Sequence, residues 1–333
     1  DLALSPLDKR TRELTSLLPN FSGALPRPLA PSNSPCAMRA SSSSGISGWR
    51  IRSANRHAHR ILFASLELFV IGDHDHGFFL MEDLGSDHLS DAYARMGGNQ
   101  EALTAILDLA LDTLQPWQQF TDAQIPPYTE DRLMMEFDLC AEWFAASLIS
   151  LPPSVQDEIT LAATRSTLID AMLEQPQVCV HRDYHCRNLL LTGEARNRRI
   201  GIVDFQDALI GPILYDVASL LQDCYALHDK AVIAAALHRF GSMSPLLTAI
   251  APEQIAWWHD ACAIQRQIKA VGIFARLHLR DGKSSHLHYI PAVLARAAAL
   301  AATHEATQAL SPLLIRWAEE AATNPLLAKS RAT

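Results

Sequence analysis

Asp183, Asn188 and Asp204 are the residues whose types and spacing can do chemistry. Asp183 lies in His181-Arg182-Asp183-Tyr184-His185-Cys186-Arg187-Asn188, on a stretch that reads as a loop between short apolar runs. Asp204 closes the next such run, Ile202-Val203-Asp204-Phe205-Gln206. Phosphoryl transfer from ATP to a hydroxyl needs this set. One carboxylate takes the acceptor's proton, while a carboxamide and a second carboxylate hold Mg²⁺ against the phosphates. Mg²⁺ suits hard oxygen ligands and takes few from the protein, completing its shell with phosphate oxygens and water. A positioned base contributes about 10²–10⁴-fold to such a step. Each residue alone also fits a plainer reading: a surface-turn acid, a turn-stabilising amide, a strand-ending acid. The three together favour the chemistry.

The neighbours are less determined. Arg187 can reach the γ-phosphate or the acceptor through paired hydrogen bonds, or can pair with a nearby acid; both readings stay open. Gln206 and Asp207 face either the acceptor or the solvent. His181 and His185 have a spacing that suits zinc on a helix, but the segment reads as loop and no further ligands converge, so His181 reads as loop support. Asp73-His74-Asp75-His76 reads as a polar hairpin turn rather than a metal cluster.

Several elements must position these groups. Phe78 to Met81 reads as a strand ending at Glu82-Asp83-Leu84-Gly85. Leu103, Ile106, Leu107, Ala110 and Leu114 recur at helical spacing, and Asp131–Leu148 and Gln156–Leu173 look similar. Val178–Val180, Leu189–Leu191 and Arg199–Val203 are short apolar runs, with Gly193–Arg198 as the turn between the last two. After Gly211-Pro212 the pattern is helical nearly to the end. Asp8–Leu18 is a further helix candidate, followed by a Pro-rich segment. These elements imply an α+β chain in two lobes: a small one over residues 1–84 and a large helical one over 85–333, which carries one hairpin of catalytic residues.

Residues 20–70 are atypical. No Asp or Glu occurs between Glu13 and Glu67, while arginines stand at 27, 39, 50, 52, 56 and 60. The stretch reads either as a basic flexible linker or as a segment outside the selected reading frame.

The chain has room for two lobes at 333 residues, and a net charge of −8 disfavours nucleic-acid or anionic-membrane partners. The apolar run Ile61–Gly72 is too short for a membrane span, and the first residues lack the pattern of a secretion signal. The six cysteines are scattered without CxxC pairs, as suits thiols in a reducing cytoplasm. A monomeric cytoplasmic protein is expected.

The catalytic stretch resembles the aminoglycoside phosphotransferase-like kinases, which share the two-lobed protein-kinase-like fold. The resemblance is closest to the anomeric N-acetylmuramate/N-acetylglucosamine kinases of bacterial cell-wall recycling. It rests on Gly77 to Gly85, on Glu136-Phe137-Asp138-Leu139 with Trp143, and on His181–Leu191 with Asp204-Phe205-Gln206-Asp207-Ala208 and Gly211–Asp216. It rests also on Gln265–Lys269 running into Gly272–Leu277 and Arg280–Lys283. The resemblance implies transfer of phosphate from ATP to the C1 hydroxyl of an amino sugar, with Asp183 and Arg187 catalytic and Asn188 and Asp204 on Mg²⁺. It makes Met81, Glu82 and Leu84 part of an adenine-binding hinge and Asp216 a scaffold acid for the catalytic loop. Gln206 and Asp207 fall near the sugar, and Gln265, Arg266 and Lys269 are polar exceptions on a core helix. The family's usual lysine is missing, since none occurs between Lys9 and Lys230, and there is no GxGxxG; Ser41–Gly48 offers a small-residue loop in its place. Another alcohol acceptor, such as an aminoglycoside or choline, is the alternative, as is a catalytically weak binding module.

Overall fold

The computed structural model describes residues 69–73, 78–81, 83–193 and 197–329. The helix expected over Asp8–Leu18, the Pro-rich and acid-free stretches, the Ser41–Gly48 loop, His74-Asp75-His76 and Glu82 lie outside these residues.

Strands β1 (Phe69–Asp73) and β2 (Phe78–Met81) pair antiparallel, with Asp73 opposite Phe78. The chain then turns helical through α1 (Leu89–Met96) and α2 (Gln100–Gln118). The Asn99 side chain caps α2 by accepting from the Ala102 amide at 3.1 Å. Ile106, Leu107, Ala110, Leu111 and Leu114 form its buried stripe, at the spacing expected of an amphipathic helix. Helix α3 (Glu130–Leu139) starts at a Thr129 cap, and α4 (Val155–Leu173) at a Ser154–Asp157 capping box.

Between α3 and α4 the structure departs from the single helix expected over Asp131–Leu148. From Cys140 to Leu148 the backbone widens into π-helical turns, and the Ile149 amide reaches back five residues to the Phe144 carbonyl at 3.0 Å. The widening begins where the long helix α7 (Pro252–Asp281) presses closest. A Cβ on Gly272 would lie 2.6 Å from the Cys140 nitrogen and would also overlap Leu139. The helices meet backbone to backbone at this point, and only glycine allows it.

Strands β3 (Gln177–Val180) and β6 (Leu209–Pro212) form one antiparallel ladder; β4 (Leu189–Thr192) and β5 (Arg199–Ile202) form another. The β4–β5 hairpin was expected. Strand β6 was not, since Gly211-Pro212 served only to mark the start of the helical region. Its partners come from distant sequence: Val178 opposes Gly211, and Pro126 and Tyr128 bond to Ile210 on the other side. The remaining helices are α5 (Tyr215–Leu221), α6 (Lys230–Met243), α8 (Ile290–Ala301), α9 (Ser311–Thr323) and α10 (Pro325–Lys329). Trp117, Trp317, Tyr128, Tyr184, Tyr215, Phe137 and Phe144 fill the interior of this mostly helical fold.

Gly272→Ala is expected to lower stability by about 1–3 kcal/mol through forced separation of α3 and α7. Thermal or urea unfolding checks this; an unchanged midpoint would show that the helices can part without cost.

Candidate active site

The loop from His181 to Asn188 connects β3 to β4, and its two ends and its turn are held by hydrogen bonds from the backbone and from side chains of neighbouring segments. The buried Asp216 carboxylate, in the first turn of α5, accepts from the His181 amide at 2.6 Å and the Arg182 amide at 2.9 Å. Asp223, just past α5, accepts from the Cys186 amide at 2.9 Å and the Tyr225 amide at 2.8 Å. The His185 amide donates to the Asp183 carbonyl, and the Asn188 amide to the His185 carbonyl. Arg266 of α7 donates to the Arg182 carbonyl, and the Tyr184 hydroxyl to the Ala110 carbonyl of α2 at 2.7 Å.

Two of the three non-glycine residues with positive φ among the described residues are in this site, Arg182 (φ 77°) and Asp204 (φ 65°). A left-handed conformation at such residues costs of order 1–3 kcal/mol and persists only where the surroundings impose it. Here the loop bonds impose it on Arg182.

The hairpin brings the candidate ligands together. Leu189 opposes Ile202, and the Val203 amide donates to the Asn188 carbonyl at 3.1 Å. Asn188 therefore lies beside the residue preceding Asp204. The His181 imidazole bonds the Val203 carbonyl at 3.0 Å, which ties the loop to the same point. Burial keeps His181 and His185 below the usual histidine range, so both rings are neutral at pH 7. The Asn188 side-chain nitrogen donates to the Asp183 carbonyl at 3.0 Å, leaving its oxygen as the atom available to a cation. Asp204 is exposed, and one of its oxygens accepts from Gln206 at 2.5 Å.

Asp183 lines a cavity of about 170 Å³ with His185, Asp223, Tyr225, Arg266, Lys269 and Phe274. Burial opposes ionisation of its carboxyl, but the charges of Lys269, Arg266 and Arg182 outweigh this and hold it well below the usual range. Beneath the cavity, Glu136 of α3 is 6% exposed. It meets Arg182 at 2.5 Å and Lys269 at 3.4 Å, and accepts from the Tyr128 hydroxyl. Lys269 also donates to the Tyr215 hydroxyl at 2.8 Å. Burial raises the Glu136 carboxyl, and Lys269 and Arg182 more than reverse it. For Asp216, burial pushes the carboxyl up to about 6, against the pull of its two amide bonds and of Arg266.

The other expected residues divide. Arg187 has no acid partner among the described residues; its guanidinium meets the Tyr225 ring and the Tyr289 hydroxyl. Asp207 exposes its carboxylate, and its carbonyl accepts from Arg182 at 3.4 Å. Met81 ends β2, paired with Phe69. Leu84 packs its side chain on the hairpin, where a Cβ on Gly201 would sit 2.9 Å away. Arg266 and Lys269 face the cavity, whereas Gln265 is fully buried and does not line it. Sequence reasoning missed Asp223, Tyr225 and Tyr289. Glu136 entered only through the resemblance, without a role, since in a helix with several other charged residues nothing singles it out. The five described cysteines are free thiols, and burial pushes Cys262 up to about 12.

A carboxyl whose folded pKa lies below its unfolded value of about 4 stabilises the fold fully above that pH and progressively less below it. Glu136 and Asp183 are both of this kind. Glu136→Gln is expected to cost about 3 kcal/mol at neutral pH, by leaving Arg182 and Lys269 short of negative charge. The gap to wild type should narrow in acid. Urea unfolding at neutral pH and near pH 3 checks both; a gap that is absent, or that widens in acid, contradicts the assignment.

Residues 54–258 match the model of a phosphotransferase enzyme family. The N-acetylmuramate/N-acetylglucosamine kinase of Neisseria meningitidis is 32% identical over 225 residues, 67% of this chain and 66% of the relative. The Pseudomonas aeruginosa protein of the same name is 33% identical over 245 residues, 72% of this chain and 68% of the relative. The chain thus spans about two thirds of the length of these relatives. A choline/ethanolamine kinase family protein from Mesorhizobium loti has the same fold, with a TM-score of 0.52 and 12% identity over 93% of this chain and 99% of that one. The chain belongs to the phosphotransferase enzyme family.

Proposed function

We propose that this chain transfers the γ-phosphoryl group of ATP to the C1 hydroxyl of N-acetylmuramate or N-acetylglucosamine, in the cytoplasm, as a step of cell-wall sugar recycling. One observation carries the reading. A single hairpin sets Asn188 beside the approach to Asp204, while the loop before it places Asp183 in a cavity. The relatives' names supply the sugar.

In this reading the acceptor enters the cavity with its hydroxyl at Asp183. The hydroxyl oxygen bonds to the γ-phosphorus, its proton passes to the Asp183 carboxylate, and the bond from the γ-phosphorus to the bridging oxygen of ADP breaks. Asp183 is a weak base, because Lys269 and Arg266 acidify it. A weak base suits an anomeric hydroxyl, which is more acidic than other sugar alcohols. The oxygens of Asn188 and Asp204 fit a divalent cation that needs only one or two protein ligands. Bound there, Mg²⁺ would neutralise phosphate charge. Arg187 keeps an uncompensated guanidinium for the transferring phosphoryl group. Met81 backbone groups, Glu82 and Leu84 take the adenine end, at the boundary between lobes 1–84 and 85–333. Gln206 and Asp207 border the sugar.

A choline-type acceptor is less well served. Its quaternary ammonium would need an open aromatic face, and the Arg187 guanidinium already covers the Tyr225 ring at 3.9 Å.

Phosphorus NMR with ATP, Mg²⁺ and N-acetylmuramate, N-acetylglucosamine, choline or kanamycin is expected to show a sugar 1-phosphate from at least one amino sugar. A product from choline or kanamycin alone would overturn the reading. Asp183→Asn should lower kcat by about 10²–10⁴-fold with ATP affinity near wild type. Asp204→Ala should instead weaken Mg²⁺-ATP binding itself, as calorimetry would read. Unchanged kcat in the first variant, or unchanged affinity in the second, removes that residue from its role.

A further inference from the structure

Arg187 is held by aromatic groups and by no carboxylate among the described residues. Its guanidinium carbon lies 3.9 Å from the Tyr225 ring centre and 5.3 Å from that of Tyr289. One terminal nitrogen donates to the Tyr289 hydroxyl at 2.6 Å. The two rings meet edge to face at 5.1 Å, which fixes them against each other. Tyr225 is itself fixed, since its amide is bound by Asp223, the residue that also anchors the catalytic loop at Cys186. Tyr289 stands on a short turn, Leu287–Tyr289, pinned by the fully buried Leu287.

The choice of partners has a consequence. A carboxylate would orient Arg187 equally well but would cancel its charge. Neutral rings and a phenol orient it and leave the charge for an incoming anion. The side chain also spends less rotamer freedom on binding if it is already fixed.

We propose that Tyr289 is a positioning residue for phosphoryl transfer: its hydroxyl, with the Tyr225 face, sets the Arg187 guanidinium as an oriented, uncompensated charge beside the reacting phosphate. This rests on the role given to Arg187 above. The hydroxyl makes the hydrogen bond to a charged group, and the ring does the packing. Tyr289→Phe therefore removes the first and keeps the second.

Steady-state kinetics of the full chain with ATP and an amino sugar test the idea on wild type, Tyr289→Phe, Arg187→Ala and the double variant. Tyr289→Phe is expected to lower kcat about tenfold, as loss of one charge-assisted hydrogen bond does. KM for both substrates and the melting temperature should stay near wild type. In the Arg187→Ala background the same change should have no further effect, since Tyr289 acts through Arg187. Wild-type kcat in Arg187→Ala overturns the role of Arg187. A slow Arg187→Ala with wild-type kcat in Tyr289→Phe, or losses that multiply in the double variant, overturns the positioning role alone. A readout independent of turnover is phenylglyoxal modification of Arg187, followed by mass spectrometry. Slow modification in wild type that accelerates severalfold in Tyr289→Phe supports the clamp; equal rates overturn it.

Discussion

The site depends on one buried carboxylate. Asp216 takes two consecutive amides of the His181–Asn188 loop, those of His181 and Arg182, at the point where the chain leaves β3. Without it, both amides would be desolvated and unpaired, at about 1–3 kcal/mol each. With it, Arg182 adopts its left-handed conformation and the following residue, Asp183, turns into the cavity. Asp223 repeats the device at the other end of the loop. Two acids, one in the first turn of α5 and one just past it, thus hold the loop at its start and again at Cys186.

Charge balance follows from that anchoring. Arg182 points down to Glu136, Glu136 also meets Lys269, and Lys269 and Arg266 lie along α7 facing Asp183. Glu136 thus serves as the shared carboxylate partner of Arg182 and Lys269 in the interior. The contact at Gly272 lets α7 come close enough to α3 for Lys269, one turn earlier, to reach Glu136. The π-helical stretch after Leu139 lies at the same junction.

What could be read from the sequence was what obeys local rules. Asp183, Asn188 and Asp204 stand out because a hairpin fixes their separation along the chain, and β4, β5 and the helices α2 and α4 follow their apolar periods. The scaffold role of Asp216 came through the family resemblance, and its two amide bonds agree with it. Contacts between distant segments were not legible. Tyr289 is 102 positions from Arg187, and Glu136 is 46 from Arg182. No period or spacing links such pairs. Strand β6 was missed for the same reason, since its pairing with β3 closes over the His181–Asn188 loop and the hairpin. Arg187 was left open between substrate and an acid partner; among the described residues it meets two tyrosines and no acid.

The central claim is that the Asp216 carboxylate builds the loop that carries Asp183. Hydrogen–deuterium exchange across residues 180–188 in wild type and in Asp216→Asn tests it most directly, because an asparagine side chain has one acceptor oxygen for two amides. The account predicts slow exchange at His181 and Arg182 in wild type. In the variant their protection should fall, while amides in the middle of α7 keep theirs. Equal protection of the loop in both proteins would contradict the account.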